Sequence, residues 1–369
     1  MTNRREFIQH GVALSAASVA LGSTGGAEAA ESSAASADSG TDSLGSEPPL
    51  RTTPIVGVLE PAGEGWYPLE IVDLDKFPLD AHPRYRSKSK SFFVGPKQGF
   101  LIYTVFPPTW STRMPRPDES PHFHYYHEWG YALQGDYVLG EPVNPYQKNG
   151  VLYHYRQGTW LSRPPHTLHG GTWENGGGFR AQDPYHLLIM EEGDGSVVTV
   201  GPHGDHIFPD FPGKKPDPYR PDWKAIKNFN RPQFIEAERD MEWETDSEVP
   251  GRFVKWLSDD MEAGFRAQLV KIPPGWKAPS GAAKTYFEKA NRLRFLMYGS
   301  MAVWSFRSPQ DSGHPYIARE RTFVYQPPRS LWGYGPGEVT KDGAVWLEVT
   351  YAKGLTIGGG PIETPMQAA

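Results

Sequence analysis

The feature that most limits how this chain can fold is that it says much the same thing twice. Phe106-Pro-Pro-Thr-Trp110 returns as Ile272-Pro-Pro-Gly-Trp276, Gly135 as Gly299, and Arg156 to Gly170 as Arg319 to Gly333, with Pro164-Pro165 over Pro327-Pro328. The offset holds between 163 and 166 residues, which marks a duplicated unit and argues against a chance echo. The runs inside the first unit are β-branched and aromatic: Phe92-Phe93-Val94, Phe100 to Phe106, Tyr137 to Leu139, Val151 to Tyr153 and His186 to Met190. Glycine and proline separate them, 40 and 36 of each in 369 residues, and long amphipathic helical patterns are few. The prediction is an all-β chain of two small barrels.

The first unit carries the chemistry. His122-Phe-His124-Tyr-Tyr-His127-Glu128 packs three imidazoles and a carboxylate into seven residues. Side chains alternate along an extended strand, so His122, His124 and Glu128 share one face and His127 takes the other. Imidazole with carboxylate suits first-row divalent metals such as Fe, Mn, Ni, Cu or Zn. His127 is expected to support the structure and not to bind. A second stretch, Gly158-Thr-Trp-Leu-Ser-Arg-Pro164-Pro-His166-Thr-Leu-His169, would bring His169 in from a neighbouring strand, with His166 at a turn.

These two stretches resemble the paired motifs of the cupin superfamily. The first fits H-x-H-x3-E-x6-G without a gap and ends on Gly135. The second fits G-x5-P-x-G-x2-H, except that His166 stands at the second glycine; Arg116 stands where the family has a glycine six residues before the first histidine. Neither departure touches a ligand position. The resemblance implies two cupin-type jelly-roll barrels. It also implies one divalent ion held by His122, His124, Glu128 and His169, with Fe(II) favoured and Mn, Ni, Cu or Zn as alternatives. Counting back from Gly299, the second unit has Tyr286 for His122, Glu288 for His124, Arg292 for Glu128 and Trp332 for His169. That set suits no divalent metal, so the second barrel is expected to keep the scaffold without the ion. Glu288 and Arg292 are spaced to pair with each other inside it.

The N-terminal stretch reads as a targeting segment. Asn3-Arg4-Arg5-Glu6-Phe7-Ile8, a mildly apolar run from Gly11 to Gly22, and Ala27-Glu28-Ala29 resemble a twin-arginine export signal. The apolar run is too short, and too rich in Ala, Gly and Ser, to span a bilayer. Residues 30–52 lack apolar bulk and read as a disordered linker. The predicted organisation is a signal over 1–29, the linker over 30–52, a metal-binding cupin domain over 53–206, a Pro-rich connector over 207–230 and a degenerate cupin domain over 231–360. Export would place the protein in the periplasm or outside the cell. The chain has no cysteine, which rules out disulfides and thiolate metal sites and fits a protein that folds before it leaves a reducing compartment. A net charge of −6 gives no basis for binding nucleic acid or anionic lipid. The expected partner is a small-molecule substrate, and the resemblance allows a homodimer.

Four protein ligands on an octahedral ion leave two positions for water, substrate or dioxygen. Cupins with this ligand set include dioxygenases of aromatic and diketone compounds, and also isomerases, decarboxylases and lyases; fold does not choose among them. The expectation is a mononuclear-metal dioxygenase acting on a small aromatic, phenolic or dicarbonyl substrate. The alternatives are a non-redox lyase, isomerase or decarboxylase on a sugar or organic acid, and a non-catalytic binding cupin. Tyr103, Tyr125, Trp129 and Trp160 flank the ligand strands, either as walls of an aromatic pocket or as barrel core.

Overall fold

The computed structural model describes residues 50–51, 53–57, 65–81, 87–94, 99–108, 122–141, 151–167, 169, 180–181, 183–199, 233–279, 284–334, 337, 339–357 and 360–368. The predicted export signal, nearly all of the predicted linker, Arg116 and the predicted Pro-rich connector lie outside the described residues.

The duplication is visible in the order of strands. In the first barrel the main sheet runs Lys88–Val94, Phe100–Phe106, Tyr185–Glu191, Glu128–Gln134, Thr159–Arg163, every neighbour antiparallel. In the second it runs Phe253–Asp260, Phe265–Ile272, Ala344–Tyr351, Asn291–Phe306, Thr322–Gln326, again antiparallel throughout. Both place a late strand of the unit between two early ones, the crossover of a jelly roll. The opposite wall of the first barrel is Arg180–Ala181, Asp136–Glu141 and Val151–Arg156. In the second barrel Asn291–Phe306 continues from one wall to the other, where it meets His314–Arg319 and Leu331–Gly333.

That continuation depends on a glycine. Gly135 (φ 85°) and Gly299 (φ 77°) occupy the corner in each barrel. An added Cβ would sit 2.4 Å from the Pro184 carbonyl oxygen at the first and 2.1 Å from that of Gly343 at the second. Gly135 is therefore a corner where the strand changes sheets, because only a residue without Cβ lets the backbone bend against the neighbouring carbonyl.

The barrels share their edges and a core. Glu70–Asp73, ahead of the first barrel, pairs with Thr322–Gln326 of the second; Gln233–Glu236, ahead of the second, pairs with Thr159–Arg163 of the first. Each leading strand closes the corresponding edge of the other barrel. An open edge would leave a row of unpaired backbone N–H and C=O groups. The two predicted cupin domains thus exchange one strand each. Between the barrels lies one apolar cluster in which Phe92, Phe93, Trp129 and Trp160 pack with Phe265, Phe323, Tyr325 and Tyr351, all 1% exposed or less. Burying a ring of this kind contributes on the order of 1.5–3 kcal/mol.

Candidate metal centre

The motif residues meet at one end of the first barrel. His122 and His169 face each other across a two-bond bridge, His122 N to His169 O at 2.8 Å and His169 N to His122 O at 2.9 Å. The stretch from His122 to Glu128 is not one strand, as simple alternation assumed. His122–Phe123 ends, the chain bends at Tyr125 and Tyr126, and Glu128–Gln134 begins a new strand. The Tyr126 ring fills the bend: it stacks on His124 at 4.8 Å, and its hydroxyl donates to Glu191 Oε2 at 2.7 Å. Gly193 leaves it room, since a Cβ there would come within 2.1 Å of the ring. Even so, His124 Nε2 lies 3.4 Å and His169 Nε2 3.9 Å from Glu128 Oε2. One nitrogen from each of His122, His124 and His169 falls within 4.8 Å of the others.

The outer hydrogen bonds fit this set to an ion. His124 Nδ1 lies 2.9 Å from the Ser196 carbonyl oxygen and His169 Nδ1 2.8 Å from that of Thr167. A carbonyl oxygen only accepts, so each Nδ1 carries the hydrogen and each neutral ring turns an Nε2 lone pair toward Glu128. Burial, with Arg163 and His122 nearby, holds the His169 imidazole well below its ordinary value, so it stays neutral as a ligand must. Burial also works to lower His124, but Glu128 and Glu191 outweigh it and raise its value. A proton on His124 Nε2 therefore competes with metal, and affinity should fall as pH drops.

Arg163 holds the carboxylate in place. It donates from Nη1 to Glu128 Oε1 and from Nη2 to the Tyr155 hydroxyl at 3.2 Å. Burial favours the neutral acid, but Arg163 and the two imidazoles hold the Glu128 carboxyl well below the ordinary range. Glu128 is thus ionised, with Oε1 spent on Arg163 and Oε2 facing the imidazoles. The sequence reading did not single out Arg163. No local signal marks it: Arg163 ends the buried strand Thr159–Arg163, and only the strand register sets it opposite Glu128.

The other motif residues stand apart from the ion set. His127 faces the second barrel, bonded through Nε2 to Ser162 Oγ and through Nδ1 to Glu192 Oε1, both at 2.8 Å. Glu192 also accepts from the Tyr351 hydroxyl at 2.7 Å and from Ile357 N at 3.1 Å, which joins the back of the motif to the second barrel. His166 sits in the turn with φ 67°, the left-handed region that glycine favours, so the non-glycine residue keeps the turn's backbone path. Its N–H donates to His124 O at 2.8 Å. The aromatic-pocket alternative fails for three of the four flanking residues. Tyr103, Trp129 and Trp160 are buried in the inter-barrel core, with the two indoles stacked at 5.4 Å, and Tyr125 is 60% exposed.

In the second barrel the register corrects the count back from Gly299. Thr285 pairs with Trp332 as His122 pairs with His169, and Arg329 N donates to Phe287 O as His166 N does to His124 O. The positions matching His122 and His124 are therefore Thr285 and Phe287, not Tyr286 and Glu288. One extra residue lies between Phe287 and Asn291, beyond which Arg292 again matches Glu128. Glu288 is exposed and does not pair with Arg292, whose carboxylate neighbour is Glu348 at 3.7 Å.

No protein-family model matches the chain, and no curated protein sequence matches it. Solved structures do. A candidate dioxygenase from Nostoc punctiforme superposes with a TM-score of 0.52 at 14% identity, over 82% of this chain and 87% of its own. The 11S globulin of Wrightia tinctoria gives 0.50 at 9% identity, over 85% and 88%. A cupin 2 conserved barrel domain protein from Leptotrichia buccalis gives 0.44 at 8%, over 76% and 96%. At such identities likeness speaks of fold alone, and the fold is the one the paired motifs implied: two cupin-type jelly-roll barrels in one all-β chain.

Proposed function

We propose that this chain is an exported mononuclear metal-dependent cupin enzyme, most simply a dioxygenase that cleaves a small aromatic, phenolic or dicarbonyl substrate. One observation carries the metal reading. His124 and His169 spend Nδ1 on backbone carbonyls and aim Nε2 at an ionised carboxylate, with His122 alongside. His122, His124, Glu128 and His169 would hold the ion, Fe(II) favoured, with Mn, Ni, Cu or Zn able to use the same donors. A bound divalent ion supplies Lewis acidity, or redox capacity where the metal has it. The chain's own residues do the rest: Arg163 keeps Glu128 ionised, Ser196 and Thr167 fix the rings, and Tyr126 closes the bend around them. The Nostoc punctiforme neighbour's description agrees with the oxygenase reading at the level of fold.

The non-redox alternative has its own support. Tyr125 is exposed, and its ring lies 5.4 Å from that of His166 at the edge of the motif, where either could move a proton. Oxygen consumption separates the readings. Metal-loaded protein is offered catechols, phenols and dicarbonyls with and without air. A dioxygenase takes up one equivalent of dioxygen per product and stops without air. Turnover that is indifferent to air would replace this reading with a lyase, isomerase or decarboxylase. Tight ligand retention without turnover would replace both with a binding protein.

Export rests on Arg4, Arg5 and the Ala27-Glu28-Ala29 site. Changing both arginines to lysine should leave unprocessed, metal-loaded protein inside the cell. Normal export and cleavage of that variant would overturn the twin-arginine reading.

A further inference from the structure

The interior of the second barrel holds an unmatched positive charge. Three guanidinium groups, those of Arg252, Arg292 and Arg294, meet two carboxylates, those of Asp246 and Glu348. Asp246 is committed to Arg252, whose Nε and Nη2 reach its Oδ2 at 2.7 and 2.5 Å. Glu348 is committed to Arg294, which donates from Nε to Oε2 at 2.7 Å, and it also accepts from Gln268 Nε2 at 2.8 Å. Arg294 donates again to Gln326 Oε1 at 2.9 Å and lies 3.8 Å over the Trp332 ring.

Arg292 is left over. Its Nε donates to Thr350 Oγ1 at 3.1 Å, and Glu348 Oε1 stands 3.7 Å away, beyond hydrogen-bond reach. Among the described residues its two Nη nitrogens meet no acceptor. One face of the group is covered by Phe287, at 4.4 Å. Its side chain keeps 15% exposure, against 4% for Arg294 and 3% for Glu348, so it is the member of the cluster that solutes can reach. It also stands at the strand position that Glu128 holds in the first barrel, where the imidazoles gather.

Arg292 shares Glu348 with Arg294, which holds that carboxylate more closely, so its charge is only partly compensated, and an anion bound there would offset the cost. A guanidinium fork matches the two oxygens of a carboxylate better than a point charge does. The excess is one charge, which fits a monoanion. Phe287 and Trp332, buried beneath Arg292 and Arg294, make the surroundings of the cluster apolar, which strengthens a charge pairing formed there. We propose that the second barrel binds a small organic monocarboxylate at Arg292, with the carboxylate on the Nη nitrogens. Nothing in this depends on a metal in the first barrel.

Calorimetric titration of the metal-loaded full chain with benzoate tests it, with acetate and inorganic phosphate as comparators. The expected result is one benzoate per chain, a rise in Tm, and a loss of about tenfold or more in affinity in Arg292→Gln, the size of a charge-assisted bond. Metal content should be unchanged in that variant, and His122→Ala should bind benzoate as the wild type does. The proposal is overturned if millimolar benzoate gives neither heat nor a Tm shift, or if Arg292→Gln binds normally. It is also overturned if His122→Ala loses binding, or if phosphate binds more tightly than benzoate. Should Arg292→Gln not fold, Arg292→Lys decides: it keeps the charge but loses the fork, and benzoate affinity equal to wild type would overturn the carboxylate assignment.

Discussion

Glu128 and Arg292 stand at the same place in the two barrels, on corresponding strands, with opposite charge. Around Glu128 the chain gathers three imidazoles and one arginine; around Arg292 it gathers two more arginines, a glutamate and aromatic rings. One position further in, Gly130 pairs with Ile189 in the first barrel, while Arg294 pairs with Glu348 in the second. A Cβ at Gly130 would lie 2.8 Å from the Leu188 carbonyl oxygen, so the floor beneath the histidines has no room for a side chain. The scaffold is the same and the filling is inverted. The shared features are the sheet order, the corner glycines and the left-handed turn residue. What sits inside is set by a few side chains on the inward face.

The largest effect should come from breaking the second filling. Burial opposes ionisation of Glu348, but Arg292, Arg294 and Arg252 hold its carboxyl well below the ordinary value. Glu348→Gln strands at least one buried cation and should cost about 3–5 kcal/mol in chemical denaturation, with metal content in the first barrel untouched. The pH dependence has a definite sign. A depressed folded-state value means that the stabilisation is complete above the unfolded carboxylate's pKa, roughly 4.3, and is lost as pH falls below it. Wild-type stability should therefore drop on acidification below that point, and Glu348→Gln should lose this part of the slope. A cost under about 1 kcal/mol would mean that the cluster is not held as described.

Next come the corners, where the barrels should behave alike. Gly135→Ala and Gly299→Ala each force a left-handed non-glycine residue, costing about 1–2 kcal/mol, and push a Cβ into a carbonyl oxygen. Equal losses in Tm would support a common scaffold; a loss at one site only would break the equivalence. The smallest effect belongs to the turn. His166 and Arg329 have φ of 67° and 56°. Glycine at either should change stability by no more than about 1 kcal/mol, in the same direction at both, and His166→Gly should keep its metal. Loss of metal in His166→Gly would promote His166 from turn residue to part of the centre.

Much of this was legible in the sequence because it rests on spacing. The repeat and the H-x-H-x3-E run show in spacing alone, and the resemblance to the paired cupin motifs added the role of His169, although strand alternation breaks at Tyr125 and Tyr126. What stayed hidden depends on register between distant strands. Arg163 is silent until Thr159–Arg163 is laid against Glu128–Gln134. The extra residue after Phe287 shows only in its pairing, which is why Glu288 was placed inside the barrel and proves exposed. The exchanged edge strands carry no local mark either. The arginine cluster was within reach: Arg292 and Arg294 alternate with Leu293 and Phe295 in a strand otherwise apolar, so both charges share the inward face.

One barrel is proposed to hold an ion and its twin to hold none. Elemental analysis of the purified chain, beside His169→Ala and Glu128→Ala, tests it most directly. The expected result is one divalent ion per wild-type chain and a sharp loss in both variants, with the fold retained by circular dichroism. Two ions per chain, or wild-type metal content in both variants, would contradict it.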